Sequence, residues 1–268
     1  VRLCMAEKGL SFTGHLINLA TKEQLDPDYL KINPNGVVPS LVHDGLTIID
    51  SSVICEYLDE VFPEKPLTPD NAYDRARMRK WMRYIEEVPT AAVRFPSFNM
   101  AFLPRFDGLD EESFIEQQAD VRPLRKGFFR RMGPTGFSDA DIEESFDQIT
   151  KTAQRMEEAL ANGPWLLGDM YTLADVIVAP LIDRMADLGL SHLWEDSCPR
   201  VTDWYARIQA RPAFAEAFYP GARLTEFLEI RPWSKNGPTA GFRFSGLTRY
   251  IGTCWTLRAV WPYKRCKF

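Results

Sequence analysis

The sequence predicts a small α/β domain followed by an all-helical domain, and three observations support this. Short strand-like runs separated by turn signals occur in the first 62 residues. A stretch with three prolines, residues 63–70, is then typical of a linker. From residue 72 to about residue 228, apolar side chains recur at the spacing of α-helices.

The first domain is predicted to contain three helices and a hairpin. Gly9 ends the opening helix, and His43-Asp44-Gly45 forms the turn between two short strands. In chain order, the predicted elements are a helix over Val1–Lys8, a strand over Phe12–Leu19, a short helix over Asp28–Ile32, strands over Val37–Val42 and Leu46–Ile49, and a helix over Ser52–Val61. This order is typical of a small mixed sheet covered by helices.

The second domain is predicted to be a set of amphipathic helices around one buried helix. Thr172-Leu173-Ala174-Asp175 has the pattern of a capping box, in which the end residues satisfy each other's backbone N–H groups. We interpret it as a folding signal for the apolar helix that it opens, without a role in chemistry. The predicted helices cover Arg75–Glu87, Ser138–Leu160, Leu173–Leu188 and Val201–Ala210.

Charge is distributed unevenly along the 268 residues. Residues 1–230 carry 24 Lys and Arg against 37 Asp and Glu, whereas residues 231–268 carry eight bases and no acid. The acidic body argues against general nucleic-acid binding, and no window is apolar enough for a membrane span. The basic, aromatic tail has the composition of a nucleic-acid or membrane contact. It lacks clear periodicity, apart from a candidate helix over residues 249–260, and a shifted reading frame explains its composition better.

Cysteines and histidines form no recognisable metal-binding motif. The chain has five cysteines without a CxxC pair and three scattered histidines, so no metal site is predicted. The cysteine pattern and the absence of a secretory signal favour a reduced, cytoplasmic compartment.

Val38-Pro39 interrupts an otherwise regular strand. Proline has no backbone N–H to donate, so it belongs at a sheet edge or a bulge. A cis bond would leave the N–H and C=O of Val38 facing outward, where they can pair with an extended peptide. An edge strand with an ordinary trans proline is the simpler interpretation of the dipeptide alone.

Asp50-Ser51 opens a predicted helix. A helix N-terminus offers free N–H groups and a positive partial charge, to which Ser51 can add a hydroxyl for a ligand carboxylate. The carboxylate of Asp50 can take a ligand ammonium, so the pair suits an amino-acid head group. Simple N-capping is the simpler interpretation of these two residues alone.

Four segments stand in a specific order and spacing: residues 33–41 (NPNGVVPSL), 50–58 (DSSVICEYL), 165–169 (WLLGD) and 172–175 (TLAD). Through them the chain, from Val1 to about Leu228, resembles the glutathione transferase superfamily. The resemblance implies a thioredoxin-like domain over residues 1–64 that lacks its first strand, an all-helical domain over residues 65–230, and a homodimer. Residues 231–268 lie outside the resemblance.

The same resemblance implies a glutathione site at two turns. It implies that Pro39 is cis, that Val38 pairs with the cysteinyl backbone of glutathione, and that Asp50 and Ser51 hold its γ-glutamyl group. These roles match the ligand-binding interpretations given above for each pair of residues. We therefore expect Val38, Pro39, Asp50 and Ser51 to bind glutathione.

Within the superfamily, Lys31–Pro63 and the insertion Phe95–Phe137 are most similar to the bacterial lignin β-aryl-etherases. The family's catalytic Ser, Cys or Tyr follows the first strand, at or just before the first helix. We therefore expect this residue and the strand to precede Val1, which leaves an unfilled slot in the sheet and a chain that is inactive or unstable as it stands. Cys4 lies one turn too late and is interpreted as a packed cysteine, so no catalytic residue is assigned.

The predicted reaction is attack of the glutathione thiolate on a small hydrophobic electrophile, with β-aryl ether cleavage as the specific candidate. The alternatives are a non-catalytic binding or scaffold protein, and a glutathione-dependent isomerase or dehalogenase. Phe95, Phe98, Phe102 and Phe106 are candidates to line the acceptor pocket, and core packing is the equal alternative.

Overall fold

The computed structural model describes residues 1–226 and 228–233 and the backbone of residues 255–259. Its N-terminal part is built from α1 (Arg2–Lys8), β1 (Thr13–Leu16), α2 (Pro27–Ile32), β2 (Ser40–His43), β3 (Leu46–Ile49) and α3 (Ser51–Val61). The predicted order of helices and strands is confirmed, with shorter strands. Gly9 ends α1 in the left-handed conformation, at φ 68°.

The sheet has the strand order β1–β4–β2–β3, where β4 is Trp255–Ala259. β4 runs antiparallel to β1 and parallel to β2. Two expectations were therefore wrong: the slot is occupied by backbone from the tail, and residues 255–259 are a strand and not part of a helix. Residues 234–254 and 260–268 lie outside the described residues, so the origin of the tail stays a prediction.

The C-terminal part is helical. It comprises α4 (Ala72–Glu87), α5 (Pro89–Ala92), α6 (Arg94–Ser97), α7 (Glu111–Phe114), α8 (Lys126–Met132), α9 (Asp139–Ala159), α10 (Leu173–Asp187), α11 (Pro199–Gln209) and α12 (Pro212–Ala217). The four predicted helices are confirmed within three residues at each end. π-helical turns at Phe98–Phe102 and Ile115–Ala119 interrupt the insertion.

The capping box at the start of α10 is confirmed and lies in the main core. Thr172 and Asp175 satisfy each other's backbone N–H groups. Asp175 is fully buried, and it also accepts hydrogen bonds from the Leu166 N–H (3.0 Å) and the Trp204 Nε1–H (2.9 Å). Burial raises the pKa of Asp175 to about 6, against these hydrogen bonds, which lower it. The motif therefore acts in folding, as the sequence predicted.

The insertion forms a second apolar cluster beside the main core. Phe95 stacks on Phe137, with ring centroids 4.1 Å apart. The buried members of this cluster are Phe106, Phe114, Ala119, Phe129, Met132, Phe137 and Ile142. The cluster gives one wall of the cleft described below a rigid backing.

Two ion pairs attach α1 to distant parts of the chain. Lys8 Nζ lies 2.6 Å from Asp59 Oδ1 on α3, and both side chains are buried. Glu7 accepts hydrogen bonds of 2.5 and 2.7 Å from the guanidinium of Arg211, which precedes α12. The guanidinium of Arg211 also lies 3.8 Å from the ring centroid of Tyr171. The N-terminal helix is thus fixed to both parts of the structure.

In the described part of the chain, no helix is both long and apolar enough to cross a membrane. The same residues contain no group of three or more His, Cys, Asp or Glu that could hold a metal ion.

Candidate functional site

The β2–β3 hairpin brings the two predicted site segments together. Ser40 pairs with Ile49 at the end of the ladder. Pro39 and Asp50 follow one position further on, so the segments face each other across the same end of the hairpin. Ten residues lie between Pro39 and Asp50 in the sequence, and the register of the hairpin makes these two residues neighbours.

The Val38–Pro39 peptide bond is cis, as the resemblance implied. Neither the N–H nor the C=O of Val38 forms a hydrogen bond with any described residue. The preceding carbonyl, of Val37, is held by Tyr29 Oη (2.7 Å) and Asn33 Nδ2 (2.8 Å). The loop is therefore anchored on one side of Val38, while Val38 itself presents an unused donor and acceptor.

Asp50 has an unusual backbone conformation at the start of α3. Its φ of 74° and ψ of 131° are rare for a residue with a side chain, and such strain is frequently associated with functional sites. Its Oδ1 accepts hydrogen bonds from the N–H and the hydroxyl of Ser52, both at 3.1 Å. One carboxylate oxygen thus caps the helix, and Oδ2 has no partner among the described residues. The geometry is therefore compatible both with N-capping by Asp50 and with binding of a ligand ammonium.

Ser51 is the first residue of α3, an 11-residue helix, and its side chain is exposed. Its hydroxyl forms no hydrogen bond with a described residue. The hydroxyl lies in the first turn of α3, where backbone N–H groups have no acceptor within the helix, although Asp50 takes that of Ser52. This is the arrangement that suits a ligand carboxylate.

Glu86 of α4 is a site residue that sequence reasoning missed. Its Oε1 accepts a short hydrogen bond from the Ser52 hydroxyl, beside the capping oxygen of Asp50. Its Oε2 lies 3.3 Å from Arg83. Two carboxylates, Asp50 and Glu86, therefore flank one hydroxyl and form an acidic surface next to the N-terminus of α3. The sequence did not single out Glu86, because its partner Ser52 lies 34 residues away on another helix.

A cleft of about 410 Å³ opens between the loop at Val38 and the helical part. Phe98, Phe102 and Phe106 line it, whereas Phe95 packs in the second cluster. Phe98 and Phe106 also pack in the second cluster, so core packing and cleft lining coincide at these two residues, and the acceptor role of the cleft stays a prediction. Asp50 and Ser51 are not among the lining residues, so the head-group residues lie outside the cleft, with Val38 at its edge.

Gln24 is a second residue that the sequence did not single out. Its side chain is 6% exposed and lines the cleft. Its Oε1 has no hydrogen-bond partner among the described residues. A buried acceptor without a donor is costly, so this atom suits a donor supplied by a ligand. No local pattern marks it, because it lies in a single 3₁₀ turn.

Cys4 is fully buried at the contact of α1 with α3. Its Sγ lies 4.0 Å from the Cys55 carbonyl oxygen. Hydrogen bonding to Cys55, together with burial, raises the pKa of the Cys4 thiol. The thiol is therefore protonated at neutral pH, the opposite of what a nucleophile needs. Its interpretation as a packed cysteine agrees with this environment.

Two family models match the chain on either side of the insertion. The N-terminal domain of glutathione S-transferases matches residues 1–61, and the C-terminal domain matches residues 139–207. The chain belongs to the glutathione S-transferase family, and its fold is that family's thioredoxin-like domain followed by a helical domain.

One relative within this family is the protein LigF of Sphingobium sp. strain SYK-6. It is 31% identical over 223 residues, which are 81% of this chain and 87% of LigF. The crystal structure of the β-etherase LigF from that strain matches with a TM-score of 0.73 at 30% identity, over 81% of this chain and 92% of that one. A glutathione transferase homologue from Sulfitobacter, solved with bound glutathione, shares the fold (TM-score 0.57, 20% identity, 80% of this chain and 88% of that one).

Proposed function

We propose that this protein binds glutathione between Val38 and the N-terminus of α3 and transfers it to a small hydrophobic electrophile in the adjoining cleft. The observation that carries the proposal is the unused backbone donor and acceptor of Val38, which lies across the hairpin end from Asp50 and Ser51. Glutathione is itself a short peptide with an amino-acid head group, so it matches both halves of this site.

In this proposal each group of the site has one role. Val38 pairs with the cysteinyl backbone and so directs the sulfur toward the cleft. Ser51 and the first N–H groups of α3 bind the γ-glutamyl carboxylate, and Asp50 with Glu86 binds the ammonium. Phe98, Phe102 and Phe106 hold the acceptor.

The proposed reaction forms a bond between the glutathione sulfur and an electrophilic carbon. The thiolate supplies the electron pair, and the leaving group departs with the pair of the broken bond. In a β-aryl ether the leaving group is a phenolate, which later takes a proton from solvent. The similarity to the β-etherase LigF supports this choice over other electrophiles.

The same proposal includes a homodimer in the cytoplasm. Leu46, Val53 and Tyr73 are 65%, 46% and 75% exposed, and such apolar exposure suits an interface. Cys4, Cys55 and Cys198 are free thiols, which suits a reducing compartment, and cell fractionation would test it.

Calorimetric titration of the chain with glutathione tests the site. We expect Ser51→Ala and Asp50→Asn each to weaken binding by roughly 10-fold or more, since each loses a hydrogen bond to a charged group. Asn at position 50 keeps a capping oxygen, so the helix start is retained. Thr202→Ala, at an exposed hydroxyl of α11, is the control and should bind as the parent does.

Two results would count against the proposal. A folded chain that does not bind glutathione at millimolar concentration would favour a non-catalytic scaffold. Binding that neither Ser51→Ala nor Asp50→Asn weakens would place glutathione elsewhere. Far-ultraviolet circular dichroism of each variant separates loss of binding from loss of folding.

A further inference from the structure

The cleft is strongly cationic. Five of its lining residues are arginines, and no Asp or Glu is among the lining residues in the described part of the chain. The arginines are Arg94, Arg105, Arg122, Arg125 and Arg184. They share the cleft with the aromatic wall formed by Phe98, Phe102 and Phe106. The cleft therefore combines an apolar surface with a concentration of positive charge.

These guanidinium groups are close enough to repel one another. Burial, followed by the positive charge of Arg125, lowers the pKa of Arg94 to about 10. Burial and the charges of Arg105 and Arg125 lower the pKa of Arg122 to about 10 as well. Lys22 also has a lowered pKa, from burial and then from Arg122 and Arg105. With a pKa of about 10, Arg94 and Arg122 remain protonated at neutral pH, so their positive charges are present in the native protein.

Arg122 is held in place by neutral groups. Its guanidinium lies 3.8 Å from the ring centroid of Phe129 and donates to the backbone carbonyl of Gln118. Only 9% of the residue is exposed. Neither Arg122 nor Arg94 forms an ion pair with any Asp or Glu among the described residues. The positive charge is thus fixed at the cleft and is not compensated by those contacts.

Arg94 and Arg122 differ in this respect from most of the described arginines outside the cleft. Residues 1–230 have an excess of acids, 37 against 24 bases, and arginines outside the cleft usually contact one. Examples are the pairs Arg77–Asp74, Arg79–Glu56, Arg130–Asp120, Arg200–Glu157, Arg211–Glu7 and Arg223–Asp183. In a chain with this excess of acids, the lack of an acidic partner at Arg94 and Arg122 is therefore not expected from composition.

We propose that the acceptor bound in this cleft is an aromatic acid, whose ring packs on Phe98, Phe102 and Phe106 and whose anionic group binds Arg94 and Arg122. Guanidinium groups bind carboxylates and sulfonates through paired hydrogen bonds, and a bound anion relieves the repulsion among the cleft arginines. The identity of this ligand as an acceptor rests on the proposed transferase function. Binding of the anion does not, because it needs no glutathione.

A carboxylate of glutathione is a second possible source of the same negative charge, since Val38 also borders the cleft. An aromatic acid and a glutathione carboxylate can be distinguished by whether binding to the arginines requires glutathione. An aromatic acid uses the arginines without glutathione present, whereas a glutathione carboxylate uses them only as part of glutathione binding. Measuring both ligands on the same variants separates them.

The test is calorimetric titration with 2-naphthoate and with the neutral 2-naphthalenemethanol, in the absence of glutathione. We expect naphthoate to bind at least 10-fold more tightly than the alcohol. Raising the salt concentration from 50 to 500 mM should weaken only the naphthoate. Arg122→Gln and Arg94→Gln should each weaken naphthoate about 10-fold and leave the alcohol unchanged. Arg155→Gln is the matched control, because Arg155 lies over the Tyr84 ring at 4.1 Å and does not line the cleft.

The proposal is overturned if naphthoate binds no more tightly than the alcohol, or if Arg155→Gln has the same effect as the cleft variants. It is also overturned if Arg94→Gln and Arg122→Gln weaken glutathione and leave naphthoate unchanged. Failure of glutathione to bind while naphthoate binds would refute the transferase proposal and leave the anion site intact. If the buried Arg122→Gln variant does not fold, the half-buried Arg94→Gln variant and the salt dependence of the parent show whether the cleft arginines bind the anion.

Discussion

The buried ion pair between Lys8 and Asp59 allows a sharp test of how α1 is held. The two side chains are 1% and 3% exposed, and Asp59 also accepts hydrogen bonds from the Leu67 N–H at 2.9 and 3.1 Å. Lys8 donates in addition to the Lys65 carbonyl at 2.9 Å. Replacing Lys8 by Met removes the positive charge and leaves a buried carboxylate with only one donor.

We expect Lys8→Met to lower the free energy of unfolding by about 3–5 kcal/mol, the usual cost of leaving one partner of a buried pair uncompensated. The pair Lys31–Asp28 provides the control, because its N–O distance is also 2.6 Å but its side chains are 75% and 93% exposed. Lys31→Met should cost less than about 1 kcal/mol. Urea unfolding followed by circular dichroism measures both.

A double variant separates charge from packing. Lys8→Met/Asp59→Asn removes both charges and keeps an acceptor for the Leu67 N–H, so it should be more stable than Lys8→Met alone. A loss of stability in Lys8→Met no greater than that in Lys31→Met would contradict a stabilising role of the buried pair. A double variant less stable than Lys8→Met would contradict it equally.

Two further predictions concern pH and assembly. Asp175 has a pKa of about 6 in the folded chain and an ordinary value of 3.8 when unfolded, so the native state holds this proton more tightly. The free energy of unfolding should therefore fall by about 2 kcal/mol from pH 4 to pH 6 through this group. In urea titrations Asp175→Asn should flatten that part of the curve, and an unchanged slope would refute the assignment. Light scattering should give a dimer, twice the 30.7 kDa of the chain, which Tyr73→Glu should dissociate; a monomeric parent at micromolar concentration would rule it out.

The sequence predicted what depends on neighbouring residues. Gly9 and the capping box at Thr172 act within one turn of helix, and His43-Asp44-Gly45 sets the hairpin register that places Pro39 opposite Asp50. These signals are local, so they can be recognised in the sequence without knowledge of the fold. The resemblance supplied the cis bond at Pro39, which the dipeptide alone did not favour.

Features that depend on distant contacts were not predicted. Glu86 meets Ser52 across 34 residues, and Arg94 and Arg122 share a cleft because the insertion folds back on itself. The π turn at Phe98–Phe102 also changes the helical period. Even helical spacing would also treat Phe95 and Phe98 alike, yet only Phe98 lines the cleft.

The contact of Glu7 with Arg211 has a consequence for synthesis of the protein. The two residues are separated by 204 positions, so α1 leaves the ribosome long before α12 exists. Until then the apolar side chains of α1 lack one of the surfaces that bury them. Because the chain is made from its N-terminus, an early-made helix reaches its final packing among the last events of folding.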